Sequence, residues 1–327
     1  MRVVIENGNS NIWNFEFKVV EIIESIIKHN KVIIDLNSEG PCCEDIGLYN
    51  ILDYICDTFS FPKKNITIET SNALECHSKY NIIKHSSAND LYTVRQNMRD
   101  DIYKNFSSLL NFKNFGIFIG RPAWERIWIS SKLWKKNPDK IFGTFHWDKN
   151  SEYHLTHTNL TDILRFSNDL DVVIDSSNFL KGCPCRLTPV NSFPILSDRY
   201  CDIMGYYKNF FVEIVCETYF SGNTFLPTEK TWRSIATKTP FIVYGPTEFL
   251  LNLKKLGFKT FDRWWSEEYD DYGHEERIEK ILELSNEIAK YSTDELYDMY
   301  EDMSEVLEHN FKVFNELSED DFQRVFK

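Results

Sequence analysis

Short apolar runs rich in β-branched residues alternate with amphipathic segments along the first half of the chain. The segment LYNILDYICDTF has its apolar residues at helical spacing, and a second such segment follows Pro122, a residue that suits the first position of a helix. The apolar runs have the length and composition of buried strands, and they occupy residues 31–36, 65–70, 80–85, 114–120 and 140–147. Apolar strands that alternate with helices predict a parallel sheet covered by helices on both faces.

The second half of the chain continues this pattern. Residues 209–220 and 240–245 predict two strands, and the helix between them, EKTWRSIATK, begins where Thr228 can act as the N-cap. A further helix ends at Gly257, and a short strand is predicted at 258–261. The rest of the chain, from about residue 275, has helical periodicity.

A loop-rich stretch with three prolines and two cysteines, residues 181–200, separates the two halves. Just before it, DLDVVIDSS (169–177) predicts a strand, so the D-x-D sequence there indicates the start of a strand rather than a metal site. We therefore expect two α/β domains, residues 1–165 and 166–327, with a ligand in the cleft between them at the carboxyl ends of the strands.

The composition and net charge of the chain exclude some classes of function. The 42% hydrophobic and 15% aromatic content supports sizeable cores, while a formal net charge of −13 disfavours a nucleic-acid binder, which needs a basic face. The acidic excess near the end of the chain is expected on solvated helix faces. The eight cysteines lack zinc-finger spacing, and no apolar run approaches the roughly 20 residues that span a bilayer. We expect a cytoplasmic protein with reduced thiols, no signal peptide and no transmembrane segment.

Three charged residues, Glu229, Lys230 and Arg233, gather near the start of the helix that Thr228 begins, with Arg233 about one turn after the other two. A helix N-terminus presents unpaired N–H groups and the positive end of the helix dipole, so Lys230 and Arg233 can join it in binding a diphosphate. A carboxylate is better placed on vicinal ribose hydroxyls, which assigns Glu229 to a ribose. A capped surface helix with solvated charges is the alternative.

The motif F-x-x-T-E-K-T-W, preceded by C-E-T and followed by P-F-I-V-x-G, resembles the donor-binding region of GT-B glycosyltransferases. In particular it is similar to the α-1,3-fucosyltransferase family, and to fucosyltransferase-like and exostosin-like proteins of large DNA viruses and marine bacteria. Those proteins often carry a segment like LGFKTFDRWWSEEYDDYGHEER, which comes after the motif here. The resemblance covers about residues 209–280 and implies a GT-B-like α/β fold, with two Rossmann-like lobes facing a central cleft.

The resemblance also implies roles for single residues. Glu229 would bind the donor ribose and Lys230 the diphosphate, while Glu217 and Thr218 would lie near the donor sugar. The family has Asn at the position of Thr218, so the identity of the sugar stays open.

Fucosyltransferases place a further arginine on the phosphates, and Arg186, Arg199 and Arg233 are the candidates here. Because such enzymes neutralise the leaving diphosphate with cationic side chains and a helix dipole, the resemblance implies transfer without a metal or any other cofactor. The histidine-containing segment HWDKNSEYHLTH (146–157) matches no zinc motif, so no metal ligand is predicted.

An inverting sugar transfer needs a base that takes the proton of the acceptor hydroxyl. Glu39 follows an apolar strand in a Gly-Pro loop, and His146 and Asp148 follow another strand, so these three are the candidates. Two of them have an ordinary alternative role: Glu39 as a solvated loop acid, and His146 as a residue of the core or the cleft wall.

Further residues are candidates for accessory contacts. Arg121 lies at a strand-to-helix junction and can contact the acceptor or a phosphate, whereas Glu125 and Arg126 just after it can equally form a surface pair. Trp264 and Trp265, in a polar segment, can stack on sugar rings.

Together these features predict a metal-independent, inverting glycosyltransferase that uses a GDP- or UDP-sugar and a glycan or glycoconjugate acceptor. Two alternatives stay open: a non-catalytic sugar- or nucleotide-binding module of the same fold, and an enzyme that transfers a different group, such as a phosphoryl group.

Overall fold

The structure is a computed structural model of the chain. It describes residues 1–5, 16–36, 39–85, 88–98, 104, 112–147, 150, 163–164, 167, 169–183, 185 and 203–326. Within these residues the chain forms eight β-strands and eleven α-helices, so the predicted α/β class is confirmed.

The strands are β1 (Arg2–Val4), β2 (Val32–Asp35), β3 (Ile66–Thr70), β4 (Asn81–Lys84), β5 (Lys113–Ile119), β6 (Ile141–Phe145), β7 (Phe210–Cys216) and β8 (Phe241–Tyr244). The helices are α1 (Glu16–Lys28), α2 (Leu48–Phe59), α3 (Ala88–Gln96), α4 (Trp124–Lys136), α5 (Leu170–Lys181), α6 (Glu229–Ala236), α7 (Phe249–Lys255), α8 (His274–Ile288), α9 (Thr293–Asp302), α10 (Ser304–Glu316) and α11 (Glu319–Val325).

The chain divides into two compact units, and the division differs from the predicted one. Unit 1 comprises residues 1–89, 221–226 and 318–327, and unit 2 comprises residues 90–220 and 227–317. The boundary expected at residue 165 therefore falls inside the span of unit 2. As a consequence β5 and β6, which the sequence pattern assigned to the N-terminal domain, belong to the same unit as β7 and β8.

Unit 1 contains a parallel four-stranded sheet in the order β1-β2-β3-β4, which is also the order of the strands in the chain. Alternate residues of β2 are fully buried, as in a strand with one face on the core. The core contains apolar side chains of the strands together with those of α1 and α2, among them Ile22, Ile26, Leu52 and Ile55.

Unit 2 contains the second parallel sheet, in the order β6-β5-β7-β8. All residues of β7 and β8 are buried, as expected for strands covered on both faces. Helix α4 packs against α5 and against α8, and α6 packs against α10 as well as against β7 and β8. The two parallel sheets are those of two Rossmann-like α/β units.

Two predicted strands are wrong. Residues 169–177 begin helix α5, in which Asp169 is the N-cap and accepts a hydrogen bond from the backbone N–H of Asp171 (2.8 Å). The residues that α5 buries, Val172, Ser176 and Leu180, recur every four positions, and α5 packs on α4. Packing on a neighbouring helix therefore outweighs the strand preference of the β-branched residues here.

The strand predicted at 258–261 is a buried loop. Glu267 holds it by accepting hydrogen bonds from the hydroxyl of Thr260 and the backbone N–H of Phe261, both at 2.6 Å. Helix α4 also begins later than predicted, because Ala123 is its N-cap and Pro122 lies outside it.

The acidic segment after residue 264 is less solvated than expected. Asp270 is buried and accepts hydrogen bonds from the backbone N–H groups of Leu250 and Leu251 in α7. Arg277 is fully buried and donates to backbone carbonyls, including that of Gly245 after β8. These charges therefore hold loops of the fold in place. No helix in the described part of the chain is long and apolar enough to cross a membrane.

Candidate functional site

The sheet of unit 2 reverses its winding direction between β5 and β7. After β5 the next described strand, β6, lies on one side of β5, whereas β7 and then β8 lie on the other side. In open parallel sheets, ligands bind at the carboxyl ends of the strands where the winding reverses, because the loops after the two central strands diverge and leave a crevice. The residues after β5 and β7 are therefore the candidate site.

Two buried residues at the start of α4, Glu125 and Arg126, follow β5. They are only 1% and 4% exposed, so their interpretation as a surface pair is wrong. Arg126 donates from Nη2 to the carbonyl of Glu217 (2.9 Å), directly after β7, and from Nη1 to the carbonyl of Arg121 (3.3 Å). Its Nε is buried without a hydrogen-bond partner in the described part of the chain. Arg126 thus spans the point of reversal and places a cationic group there.

Glu217 joins the end of β7 to the start of α6. Its carboxylate accepts hydrogen bonds from the backbone N–H and hydroxyl of Thr228, from the hydroxyl of Thr231 (2.6 Å) and from the backbone N–H of Thr218 (3.2 Å). These four bonds use the full acceptor capacity of a carboxylate, and Glu217 is 2% exposed. Glu217 is therefore a structural clamp, and its predicted contact with a donor sugar stays a prediction.

Thr228 is the N-cap of α6, as predicted, but its side chain does not cap the helix. Its hydroxyl donates to Glu217 and accepts a hydrogen bond from the ammonium group of Lys230 at 2.8 Å. The same ammonium group donates to the hydroxyl of Thr218 (3.2 Å) and lies 3.2 Å from a carboxylate oxygen of Glu229. Lys230 therefore lies across the gap between the end of β7 and the start of α6, with its side chain 15% exposed.

Glu229 is ionised at neutral pH although it is largely buried. Burial would raise the pKa of its carboxyl group, but the positive charges of Lys230 and Arg233 outweigh that effect and lower the pKa to about 2. Its side chain is 18% exposed. The first turn of α6 thus presents a carboxylate and an ammonium group side by side, as the sequence predicted.

Arg233 lies in a buried cluster one turn further along α6. It is 3% exposed, and its Nε donates to the hydroxyl of Tyr207 at 3.2 Å. Tyr207 is hydrogen-bonded to Glu213 in the middle of β7, which also accepts from Ser234. This position gives Arg233 a role in the core of unit 2, and its predicted role as a phosphate ligand stays a prediction.

Asp90, in the first turn of α3, is a residue of the site that the sequence pattern did not reveal. Its carboxyl group lies near the start of α6, where Glu229 and Lys230 act on its charge and the backbone N–H of Glu229 favours its ionised form. Burial and the negative charge of Glu229 raise the pKa of Asp90 to about 7. Nothing in the segment NDLYTVRQ indicates that its aspartate meets a helix about 140 residues later, since that contact depends on how unit 2 folds.

The three candidate bases lie in different parts of the chain. Glu39 is half-buried in the loop after β2 in unit 1, where its carbonyl accepts from the backbone N–H of Ser71 at 2.9 Å. His146 directly follows β6 in unit 2, and its backbone N–H donates to the carbonyl of Ile119 at 3.0 Å. It therefore lies at the carboxyl edge of the same sheet as Glu217. Asp148 lies outside the described residues.

The candidate phosphate ligands Arg186 and Arg199 also lie outside the described residues, as do His154 and His157 of the histidine-containing segment. Among the residues that the structure describes, no group of three or more His, Cys, Asp or Glu side chains has an arrangement that could hold a metal ion. Trp124, by contrast, is a core residue, since it is 3% exposed and packs against Trp128 and Phe220.

No protein-family model matches this chain, and no curated protein matches it in sequence. Its resemblance to the fucosyltransferases therefore stays a prediction, and a function for the chain has to be argued from the geometry of the site.

Proposed function

We propose that the protein is a glycosyltransferase that moves a sugar from a GDP- or UDP-sugar to a glycan or glycoconjugate, with inversion and without a metal ion. The observation that carries this proposal is the pair Glu229 and Lys230 at the N-terminus of α6, beside the crevice where the sheet of unit 2 reverses. A nucleotide-diphosphate sugar requires one group for the ribose and another for the diphosphate, and this pair supplies both.

Lys230 is the group for the diphosphate. Its ammonium group is held by two threonine hydroxyls and a carboxylate, so little side-chain entropy remains to be lost when a phosphate binds. Arg126 adds a second cationic group on the other side of the crevice, through the guanidinium whose Nε has no partner in the described part of the chain. Together with the dipole of α6, these cations would stabilise the negative charge that grows on the leaving diphosphate.

Glu229 is the group for the ribose. Its low pKa keeps it ionised across the physiological range, so it accepts hydrogen bonds and donates none. Two vicinal hydroxyls can donate to the two oxygens of one carboxylate, whereas a phosphate would be repelled by it. This distinction orients a nucleotide along the start of α6.

In the proposed reaction, an acceptor hydroxyl oxygen attacks the anomeric carbon of the donor sugar. The bond between that carbon and the diphosphate oxygen breaks, and its electron pair leaves with the diphosphate. The proton of the hydroxyl goes to a base, for which Glu39, Asp148 and His146 are the candidates.

Nucleotide binding tests the donor site directly. GDP, UDP, CDP and dTDP are added separately to the protein, and the cognate nucleotide is identified by the largest rise in Tm. Lys230→Met keeps the aliphatic stem but removes the charge, and it should weaken binding of that nucleotide by about 1.5–3 kcal/mol. Glu229→Ala should weaken binding of the nucleoside as well, because the ribose contact is lost.

Lys255→Ala is the matched control, since Lys255 is an exposed lysine in the next helix, α7. It should leave the affinity unchanged. Wild-type affinity in both Lys230→Met and Glu229→Ala would remove the start of α6 from the nucleotide site.

Turnover tests the chemistry. With EDTA present, a nucleotide sugar should still be consumed with transfer of its sugar, and NMR of the product should show an inverted anomeric centre. Glu39→Gln, His146→Ala and Asp148→Asn are then compared, and the variant that removes the base should lower turnover by about 10²–10⁴-fold with donor affinity nearly unchanged. Nucleotide binding without transfer in the wild-type protein would instead indicate a non-catalytic binding module.

A further inference from the structure

A second cavity lies in the helical part of unit 2, between the segment after α7 and helices α8 and α9. Its volume is about 630 Å³, within the range of small-molecule sites. It shares no lining residue with the crevice at β5 and β7. A ligand in this cavity would therefore be bound separately from one in the crevice.

Aromatic side chains form one part of the lining. Trp264 is fixed in orientation, because its Nε1 donates to a carboxylate oxygen of Asp302 at 2.7 Å. Trp265 packs on Phe261 with ring centroids 5.4 Å apart, and Tyr291 adds a third, partly exposed ring. Fixed aromatic rings at a cavity wall provide apolar faces on which the C–H face of a pyranose ring can stack.

The charged part of the lining is mostly acidic. Glu268, Glu283 and Glu287 line the cavity together with one cation, Lys280. Lys280 is paired with Glu268 (3.3 Å) and Glu283 (3.2 Å), so three carboxylates outnumber the one ammonium group in the lining. This excess of carboxylates disfavours an anionic ligand, and carboxylates are good acceptors for hydroxyl groups.

A buried hydrogen-bond donor in the lining favours a saccharide over a simple cation as the ligand. Trp265 is 7% exposed, and its indole Nε1 is buried without a hydrogen-bond partner in the described part of the chain. A buried donor without a partner costs free energy, which a ligand with an acceptor can recover. A fully protonated polyamine such as spermidine has no acceptor to offer, whereas a saccharide hydroxyl both accepts from an indole N–H and donates to a carboxylate.

We propose that this cavity binds a neutral saccharide, which stacks on the aromatic wall, accepts a hydrogen bond from Trp265 and donates hydroxyl groups to Glu283. The site does not depend on glycosyl transfer at the crevice, since it would hold its ligand whether or not the protein is a transferase.

The experiment uses the whole protein and a fixed set of probes, with binding measured by tryptophan fluorescence and saturation-transfer NMR. The neutral probes are lactose, cellobiose, maltose and N,N′-diacetylchitobiose; spermidine represents organic cations and 3′-sialyllactose represents anionic saccharides. At least one neutral probe should bind. Trp265→Phe, which keeps an aromatic ring but removes the donor, should weaken its binding about 3- to 10-fold.

Glu283→Gln and Glu279→Gln form a matched pair on one exposed face of α8, because Glu283 lines the cavity and Glu279 does not. Only Glu283→Gln should weaken saccharide binding. Both variants and Trp265→Phe should bind GDP or UDP as the wild type does, so failure here is distinguishable from failure of the proposed donor site. Binding of spermidine in place of every neutral probe, binding of none of the probes, or equal saccharide affinity in all variants would overturn the proposal.

Discussion

The two parallel sheets have the same number of strands but differ in winding and in burial. The sheet of unit 1 runs in one direction from β1 to β4, and its edge strand β4 alternates between exposed and half-buried residues. The sheet of unit 2 reverses between β5 and β7, and every residue of β7 is buried. Among the described residues, a crevice of the kind that binds ligands at the carboxyl ends of strands is thus expected in unit 2.

The two units also differ in how far the paired charges compared below are exposed to water. In unit 1 the half-exposed Arg2 forms ion pairs with Asp35 and Glu69, and water can solvate its guanidinium if one pair is lost. In unit 2 Glu213 and Arg233 are 1% and 3% exposed in the middle of the unit. A charge in the second setting cannot be solvated without unfolding, so it should contribute far more to stability.

The largest expected effect comes from breaking the buried cluster. The hydroxyl of Tyr207 is hydrogen-bonded to both Arg233 and Glu213. Glu213→Gln removes the negative charge from this cluster, and it should lower the free energy of unfolding by about 3–5 kcal/mol. The matched variant in unit 1, Asp35→Asn, should cost about 1 kcal/mol or less, since Arg2 is half-exposed and Asp35 is also partly exposed. Urea unfolding of both variants measures the difference, and equal losses would contradict the comparison.

A smaller loss is expected from the clamp at the end of β7. Glu217→Ala leaves the backbone N–H of Thr228 and the hydroxyl of Thr231 without their acceptor, which should cost about 2–3 kcal/mol. Hydrogen exchange should also become faster at the start of α6. Glu276→Ala, an exposed glutamate in the first turn of α8, serves as the control and should change neither quantity.

The smallest effect concerns Asp90 and depends on pH. Its folded-state pKa of about 7 is above the unfolded value, so its ionisation destabilises the folded protein, and stability falls as the pH rises from about 4 through about 7. Asn has nearly the same shape as Asp but cannot ionise. The advantage of Asp90→Asn over wild type should grow between pH 5 and pH 8, on the order of 1 kcal/mol after allowance for partial solvent exposure.

Thermal unfolding at several pH values measures this change. Asp298→Asn, at an exposed position in α9, is the control and should show no such trend. If the two variants behave alike, the carboxylate of Asp90 does not share the environment of Glu229 and Lys230. If Asp90→Asn also tightens nucleotide binding at pH 8, the carboxylate competes with phosphate at the start of α6.

The predicted helices and strands were confirmed where the local hydrophobic pattern agrees with which residues are buried. The strands β7 and β8 are apolar except for Glu213 in β7, and a sheet covered on both faces buries them fully. The helix α2 has one apolar stripe over its whole length. Prediction failed at 169–177, where a β-branched run is helical because its buried positions face α4. It also failed at 258–261, where the hydrogen bonds of Glu267 hold a loop.

In the candidate site, too, some features could be predicted from the sequence and others could not. Glu229 and Lys230 could be placed together from sequence, because adjacent residues after an N-cap must lie in one turn. The burial of Arg126, its bond to the carbonyl of Glu217 and the proximity of Asp90 to Glu229 could not be predicted, since each joins residues far apart in the chain.

By itself the sequence determined the α/β class, most strands and helices, and the charged first turn of α6, because these depend on periodicity and on residues close together in the chain. Only the tertiary structure decided the order of the strands, the boundary between the units and the partner of each buried charge. Those features depend on which surfaces exclude water, and a buried charge is tolerated only where distant parts of the chain supply its partners.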